Sequence, residues 1–564
     1  MTRFATPKRV RRYGVGAFAA VIAIGAIYAV SALTGDLLRA PAGTNVLVFV
    51  LLGLALLIAL GFEFVNGFHD TANAVATVIY THSLPAYVAV AWSGLFNFLG
   101  VLLSSGAVAF TIISLLPVEL ILQVGSKAGF AMVFALLIAA IVWNLSTWYL
   151  GLPSSSSHTL IGSIIGVGLM NQVMVSGTGG TAGVEWSQAA NIGKSLFVSP
   201  LVGFFGAALL LLCCRALLRI PRLYEAPKGN QPPPWWIRSV LVLTCTGVSF
   251  AHGSNDGQKG MGLIMLILIG TVPTAFALNR SVGADAVAVF ASDSARVTQV
   301  LASHGGAPFT GDARTILLET IERRAPMGSS VPALSEVIAS TAAGIAGYGS
   351  LAAVPTANSA NVRNDLYLIS ETLGLLKKKG SLGLSAPEQA DLDRYKGDID
   401  DATKFIPTWV KVAVAISLGL GTMVGWKRIV VTVGEKIGKS HLTYAQGASA
   451  EVVAMATISA ADWFGLPVST THVLSSGVAG TMAANRSGLQ LSTVRNLLMA
   501  WLLTLPASIA LSGALFWLLR ILIWAAGLAH SLASVNARGR RPDPVARRHL
   551  MPRRREAPQC HRPQ

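Results

Sequence analysis

The stretch GLPSSSSH at residues 151–158 decides the fold, because the chain repeats it as GLPVSTTH at residues 465–472. Each copy places a cluster of hydroxyl side chains inside a strongly apolar chain, and each is preceded by an acidic phrase. The acidic phrases are NGFHDTAN at 66–73 and AHGSNDGQK at 251–259. An acidic phrase followed by a hydroxyl phrase, duplicated in two halves, is typical of transporters whose repeats meet near the membrane midplane, where broken helices hold substrate and coupling ion.

The composition indicates an all-α polytopic membrane protein. Of the 564 residues, 53% are hydrophobic and 12% are charged, whereas soluble domains carry about 25% charged residues. A span needs about 20 mostly apolar residues. Apolar runs of that kind predict an inverted-repeat secondary transporter with about 10–13 membrane segments, some of them half-helices. The runs lie at 14–34, 45–65, 86–113, 127–150, 196–218, 238–250 continuing into 261–278, 407–425 and 496–526, with weaker ones at 159–170 and 473–482.

The formal net charge of +17 does not indicate nucleic-acid binding. Much of it lies in the two tails, from Arg3 to Arg12 and from Arg538 to Arg562. Basic residues beside a membrane span set orientation or contact anionic lipid. We therefore expect membrane lipid as a partner and no nucleic acid.

The chain divides into two transporter halves with an insert in the second. Asp70 and His158 are 88 positions apart, whereas Asp256 and His472 are 216 apart, and the excess is about the length of the polar segment 280–405. The predicted order is a basic N-terminus with an extra span (1–44), the first repeat (45–218), a cytoplasmic linker (219–238), the start of the second repeat (239–279), a partly helical extramembrane insert (280–405), the rest of the second repeat (406–527) and a basic, disordered tail (528–564).

Positive charge predicts the orientation. The linker and the basic residues Lys427, Arg428, Lys436 and Lys439 are predicted to be cytoplasmic, because short cytoplasmic loops carry an excess of Lys and Arg. The insert then lies on the opposite side.

Asp70 and Asp256 are the candidate ion-coupling residues. A carboxylate at membrane depth costs about 2.5–3.5 kcal/mol on insertion scales and is tolerated when it faces a cavity or binds a cation. A single acid would be read as a helix-end residue solvated by headgroup water, but two acids in matching phrases favour a functional site. Asn73 lies three positions after Asp70, and Lys259 occupies the matching position in the second half. An ammonium there could replace a bound cation, leaving fewer ion sites to drive transport.

The hydroxyl phrases are the candidate oxyanion sites. Each follows a proline, Pro153 or Pro467, and proline favours a helix start. Free backbone N–H groups plus hydroxyls at a helix N-terminus suit an oxyanion, although a helix cap or a small-residue helix contact is the alternative. The predicted substrate-binding residues are Ser155, Ser156, Ser157, Ser469, Thr470 and Thr471.

The adjacent histidines leave two interpretations open. His158 and His472 are either proton relays or packed neutral side chains. A Ser-His-Asp hydrolase is the enzymatic alternative, but Ser157 and His158 are neighbours on a helix and no Gly-x-Ser-x-Gly elbow accompanies them.

These motifs resemble the inorganic phosphate transporter (PiT) family, whose members carry a Gly-x-Asn-Asp-x-x-Asn-Ala signature in each half. The copies here are GFHDTANA at 67–74 and GSNDGQKG at 253–260, which depart from the pattern at His69 and Lys259. Both departures, together with GTMVGWKR at 421–428 and TTHVLSS at 470–476, are similar to the bacterial low-affinity Pit branch. The resemblance covers about residues 45–280 and 405–520.

The resemblance implies a homodimeric transporter of the bacterial inner membrane that works by alternating access. It implies proton-coupled uptake of inorganic phosphate, carried as a neutral complex with Mg²⁺ or another divalent metal, and no resident cofactor. The hydroxyl phrases would bind phosphate together with Asn73 and Asn255. Asp70 and Asp256, with these two asparagines, would hold the coupling proton or metal and shape the phosphate site. Lys259 would offset Asp256 or the anion. Coupling to sodium, or another oxyanion such as sulfate as substrate, are the alternatives.

Overall fold

The computed structural model describes the backbone of residues 8–38, 46–116, 126–175, 183–227, 229, 231–307, 309–323, 325–380 and 382–539. Within these ranges it does not describe the side chains of 8–19, 71–73, 175, 274, 322, 356, 357, 360 and 526–539. The described residues form helices joined by short turns, with an isolated bridge between Gly438 and Leu489 and no β-strand among them.

The first half contains α1 to α7. These helices are α1 (Lys8–Leu37), α2 (Val46–Tyr80), α3 (Ala86–Leu103), α4 (Ala107–Ile113), α5 (Lys127–Tyr149), α6 (Ser156–Val175) and α7 (Trp186–Leu217). A linker containing the 3₁₀ turn Pro221–Leu223 follows.

The second half begins with α8 (Trp235–Thr271) and the short α9 (Pro273–Phe276). The insert forms α10 (Ala284–Ser303), α11 (Ala313–Arg323), α12 (Ser330–Tyr348), α13 (Thr356–Lys379) and α14 (Ala386–Thr403), and the chain then continues with α15 (Thr408–Thr422), α16 (Lys427–Val431), the π-helical turn Thr432–Lys436, α17 (Tyr444–Trp463), α18 (Thr470–Ala484) and α19 (Leu491–Gly539).

Several described helices are suited to a bilayer. Six are long and apolar enough to cross a membrane, and a seventh span is obtained if α14 and α15, which meet at a bend of 72°, are counted together. Helix α8 is not among the six, because its middle carries polar residues, but it is almost fully buried from Ala251 to Ile269. The prediction of about 10–13 membrane segments is larger than six because it also includes helices with polar centres, such as α8, and the half-helices α6 and α18.

The glycines of the acidic phrases lie inside continuous helices. Helices α2 and α8 run continuously through Gly67, Gly253 and Gly257. The role of these glycines is close helix approach: a Cβ on Gly253 would lie 2.2 Å from the carbonyl oxygen of Asn97 in α3. The predicted broken helices occur instead at the hydroxyl phrases, where α5 gives way to α6 and α17 to α18.

The insert has a hydrophobic core of its own, built by α10 to α14 around residues such as Phe290, Leu334 and Tyr395. Acidic and basic residues at short spacing occupy α13 and α14 of this segment. Helix α14 begins with a capping box, in which Ser385 and Glu388 satisfy backbone N–H groups of the first turn.

The last helix extends further than the sequence suggested. Residues 528–539 of the predicted disordered tail continue α19 as helix, and the remainder of that tail lies outside the described residues.

Candidate functional site

The two acidic phrases lie in the middle of α2 and α8, which pack against each other. The side chains of Asp70 and Asp256 are buried, with exposed fractions of 2% and 0%. An isolated carboxylate at such depth is costly unless it is paired or hydrogen-bonded. Both acids have partners, and these differ between the halves.

Each hydroxyl phrase forms the turn that breaks a helix. Gly151 and Gly465 adopt left-handed backbone conformations, with φ of +69° and +64°, which only glycine adopts without strain. The next helix begins a few residues after each proline, at Ser156 and at Thr470.

One hydroxyl of each phrase, that of Ser155 or Ser469, caps the new helix. The hydroxyl oxygen of Ser155 accepts a hydrogen bond from the backbone N–H of His158 at 3.1 Å, and that of Ser469 accepts one from His472 at 3.2 Å. The capping alternative considered from the sequence is thus realised at these two positions. They position the phrase, while the following hydroxyls face other groups.

The hydroxyl phrases of both halves converge on Asp70. Ser156 donates to Oδ2 of Asp70 at 2.8 Å, and Thr471, from the other half, donates to Oδ1. Ser156 also lies 3.5 Å from Oδ2 of Asp256. Ser156 therefore stands between the two acids, and both helix N-termini point their hydroxyls into one buried polar centre.

Asp256 has an internal cation. The Lys259 ammonium lies 2.7 Å from its Oδ2 and 3.4 Å from the hydroxyl of Ser156, and the lysine side chain is fully buried. The pair that the sequence suggested is present. Oδ1 of Asp256 has no hydrogen-bond partner among the described residues, so it remains available to a ligand.

His252 bridges the two acids and was not singled out from the sequence. Its Nε2 lies 3.4 Å from Oδ2 of Asp256 and 4.0 Å from Oδ2 of Asp70. Its Nδ1 is 2.8 Å from Oδ1 of Asn97, which fixes the ring. The i, i+4 spacing of His252 and Asp256 on one helix was the available signal.

Asp70, His252 and Asp256 could together hold a cation. Each offers one ligand atom, and these atoms lie within 4.8 Å of one another. Two carboxylates and an imidazole suit a divalent transition metal or zinc better than a hard cation, which prefers oxygen ligands alone. The same three groups can equally share a proton.

The remaining predicted residues have varied positions. Asn255 donates to the carbonyl of Leu466 at 3.1 Å and Ser157 donates to that of Val468 at 2.7 Å, so both brace the turn before α18. The hydroxyl of Thr470 has no partner among the described residues. The side chain of Asn73 lies outside those that the structure describes.

His158 and His472 lie together, with ring centroids 4.7 Å apart. His472 also stacks on Trp501 at 4.1 Å. This is the packed arrangement; the proton-relay role stays a prediction.

Two buried glutamates were missed from the sequence because neither has a matching acid in the other half. Glu451 in α17 accepts hydrogen bonds from Thr77 and Thr244. Glu63 lies seven positions before Asp70 and accepts one from Asn66 at 3.3 Å. Both are fully buried, and an acid within a mostly apolar stretch of helix is the signal that could have identified them.

The fold and the site together define a membrane transporter: a multi-pass helical protein whose broken helices bring hydroxyls and paired charges to a buried centre. The comparison with known families agrees. Residues 66–512 match the model of the phosphate transporter family, and the chain belongs to this family.

Curated relatives match over most of their length. The chain is 43% identical to the low-affinity inorganic phosphate transporter PitA of Escherichia coli over 498 residues, covering 85% of this chain and 98% of the relative. It is 40% identical to PitB of the same organism, covering 84% and 98%. A probable low-affinity inorganic phosphate transporter of Bacillus subtilis is 28% identical, covering 84% and 99%.

A solved structure titled "The sodium-dependent phosphate transporter" matches with a TM-score of 0.46 and 21% identity, covering 84% of this chain and 99% of that one. The relatives are named as transporters, and the chain is not an enzyme.

Proposed function

We propose that this protein is a low-affinity inorganic phosphate symporter of the bacterial inner membrane. The uptake is coupled to protons and carries phosphate as a neutral complex with a divalent metal such as Mg²⁺. The observation that supports it best is the convergence of Ser156 and Thr471, from two helix N-termini in different halves, on one buried carboxylate.

The contacts suggest how the site would work. The hydroxyls that now donate to Asp70 are the donors a phosphate oxygen would need, together with the backbone N–H groups of α6 and α18. Phosphate and two carboxylates repel one another unless a proton or cation intervenes. Binding of the anion therefore requires a positive partner, which couples the two fluxes.

The Lys259–Asp256 pair favours protons over sodium. An ammonium 2.7 Å from Asp256 supplies the positive charge that a bound cation would otherwise supply in this half. Of the two aspartates, Asp70 has no Lys or Arg beside it in the part of the chain that the structure describes, and its partners are hydroxyls and imidazoles, which exchange protons.

The test is uptake of labelled phosphate into proteoliposomes. We expect uptake driven by an imposed proton gradient with Mg²⁺ present, no stimulation by a sodium gradient, and no competition by unlabelled sulfate. Uptake that requires sodium would contradict the argument from Lys259. Competition by sulfate would contradict the choice of phosphate.

Asp70→Asn is the diagnostic variant. We expect it to abolish proton-driven uptake while the protein still inserts, because the carboxylate that accepts from both hydroxyl phrases loses its charge. Asp293→Asn, which neutralises a buried acid of the insert, is the matched control and should transport normally. Normal proton-dependent uptake by Asp70→Asn would refute the assignment.

A further inference from the structure

A cleft of about 640 Å³ lies beside the transport site, on the face that the basic residues predict to be cytoplasmic. The end of α5 forms one wall, and the turn before α16, with α16 itself, forms the other. The lining residues on the α5 side are Trp148, Tyr149, Leu150 and Gly151, and those on the other side include Trp426, Lys427, Arg428, Val431 and Lys436.

The cleft is positively charged without compensation. Lys427, Arg428 and Lys436 all line it, and none of them pairs with a carboxylate in the part of the chain that the structure describes. Three cations around one cleft attract an anion.

Arg428 is held in place for such a ligand. It donates to the backbone carbonyl of Tyr149, and its guanidinium lies 5.2 Å from the ring centroid of Trp148 and 4.9 Å from that of Tyr149. The Trp148 indole donates to the carbonyl of Gly425 at 2.8 Å, which joins the two walls. Guanidinium groups fixed on aromatic rings are suited to binding phosphate groups.

The rim of the cleft is apolar and exposed. Tyr149 and Leu150 have exposed fractions of 66% and 68%. Aromatic residues next to Lys and Arg are typical of the headgroup level of a bilayer, and basic pockets between helices on the cytoplasmic side bind anionic headgroups. Acyl chains would cover the rim while the phosphate meets the cations.

We propose that this cleft binds the phosphodiester headgroup of an anionic phospholipid, such as phosphatidylglycerol or cardiolipin. Free inorganic phosphate shares the anionic chemistry, but it would leave the apolar rim uncovered. A lipid fills both parts of the site.

The cleft is joined to the transport site by direct contacts. Thr432 donates to the carbonyl of Gly151 at 2.9 Å, at the start of the first hydroxyl phrase. The ring of Trp148 packs edge-on against Phe68, with centroids 5.2 Å apart, and Phe68 lies two positions before Asp70. A bound lipid therefore stabilises the helix break and stimulates uptake; this consequence, unlike binding, rests on the proposed function.

Binding is measured by native mass spectrometry of the purified protein with added phosphatidylglycerol, cardiolipin or phosphatidylcholine. We expect the two anionic lipids to be retained and phosphatidylcholine not. The double variant Lys427→Gln/Lys436→Gln should lose retention by about thirtyfold, since each basic residue near the membrane surface contributes about fivefold. Arg428 is left intact because of its contact with Tyr149.

The matched control is Arg219→Gln/Arg222→Gln, which removes two exposed charges from the linker on the same predicted face. It should retain anionic lipid like the unmodified protein. Equal loss in both double variants, or none in either, overturns the site. Displacement of the lipid by inorganic phosphate overturns the choice of lipid and identifies a phosphate vestibule.

Uptake in vesicles with and without phosphatidylglycerol separates this proposal from the proposed function. Stimulation by the anionic lipid should be lost in Lys427→Gln/Lys436→Gln and kept in the control. If no variant transports phosphate under any condition, the proposed function fails while the binding measurement still decides the lipid site.

Discussion

Replacing Lys259 with Met leaves Asp256 as an uncompensated charge in the protein interior. Lys259 and Asp256 are both fully buried and their charged atoms are 2.7 Å apart. Removing one partner of a buried ion pair costs about 3–5 kcal/mol. His252, whose Nε2 lies 3.4 Å from the same carboxylate oxygen, can take over part of the ammonium's role. We therefore expect the free energy of unfolding to fall by an amount near the lower end of this range, about 3 kcal/mol. This corresponds to a change of about a hundredfold in the unfolding equilibrium constant.

The double variant Asp256→Asn/Lys259→Met gives the sharper result. Replacing both members of a buried pair is often neutral or stabilising, because neither charge then needs to be desolvated. We expect the double variant to recover most of the stability lost in Lys259→Met, yet to transport no phosphate, because the charges of this half are gone.

Stability is measured by equilibrium unfolding in mixed micelles, and function by proton-driven uptake. Lys411→Met is the control, because Lys411 donates to the carbonyl of Ser104 and pairs with no carboxylate among the described residues, so we expect a loss of about 1.5 kcal/mol, half of that for Lys259→Met. If Lys259→Met is as stable as the unmodified protein, or if the double variant is less stable than the single one, the pair does not have the role assigned to it.

Three further results are expected. Gly253→Ala places a Cβ 2.2 Å from the backbone oxygen of Asn97 and should cost at least about 1–3 kcal/mol, lowering the yield of monodisperse protein, whereas Gly61→Ala, with open space around it, should not. Thr471→Val removes a hydrogen bond to the Asp70 carboxylate and should weaken proton-driven uptake by about tenfold; Thr457→Val, which removes only a bond to a backbone carbonyl, should not. In the insert, burial and the neighbouring Asp293 raise the pKa of Asp398 from 3.8 to about 6; because the folded state then binds the proton more tightly, stability falls as the pH rises between these values, and Asp398→Asn should remove that fall in thermal unfolding curves.

The duplication made the centre of the site predictable. Asp70, Asp256, Ser156 and Thr471 were found because each belongs to a phrase that occurs twice, and the structure brings them together. Asn255 was chosen on the same grounds but braces the turn before α18 instead. Repetition identifies phrases that share a role, but it does not separate the side chains that face the centre from those that hold its backbone.

Other features depend on packing between distant segments. Glu451 lies in α17 and its hydroxyl partners in α2 and α8, so no local pattern predicts that it is paired. Helices α2 and α8 are continuous through the glycines of the acidic phrases, and Gly253 allows α3 to approach. The backbone propensity of glycine was overridden because tertiary packing favours an unbroken helix there.

The two halves share a sequence pattern but divide the charges unequally. In the second half, Lys259 is permanently next to Asp256 and also reaches Ser156. In the first half, Asp70 accepts hydrogen bonds from hydroxyls of both hydroxyl phrases. The neighbouring basic side chains are histidines, which carry a positive charge only when they are protonated. Because Lys259 already compensates Asp256, an added positive charge is needed at one of the two acids, Asp70. Under the proposed function, this asymmetry links proton binding at Asp70 to release of Ser156 and Thr471 toward the substrate.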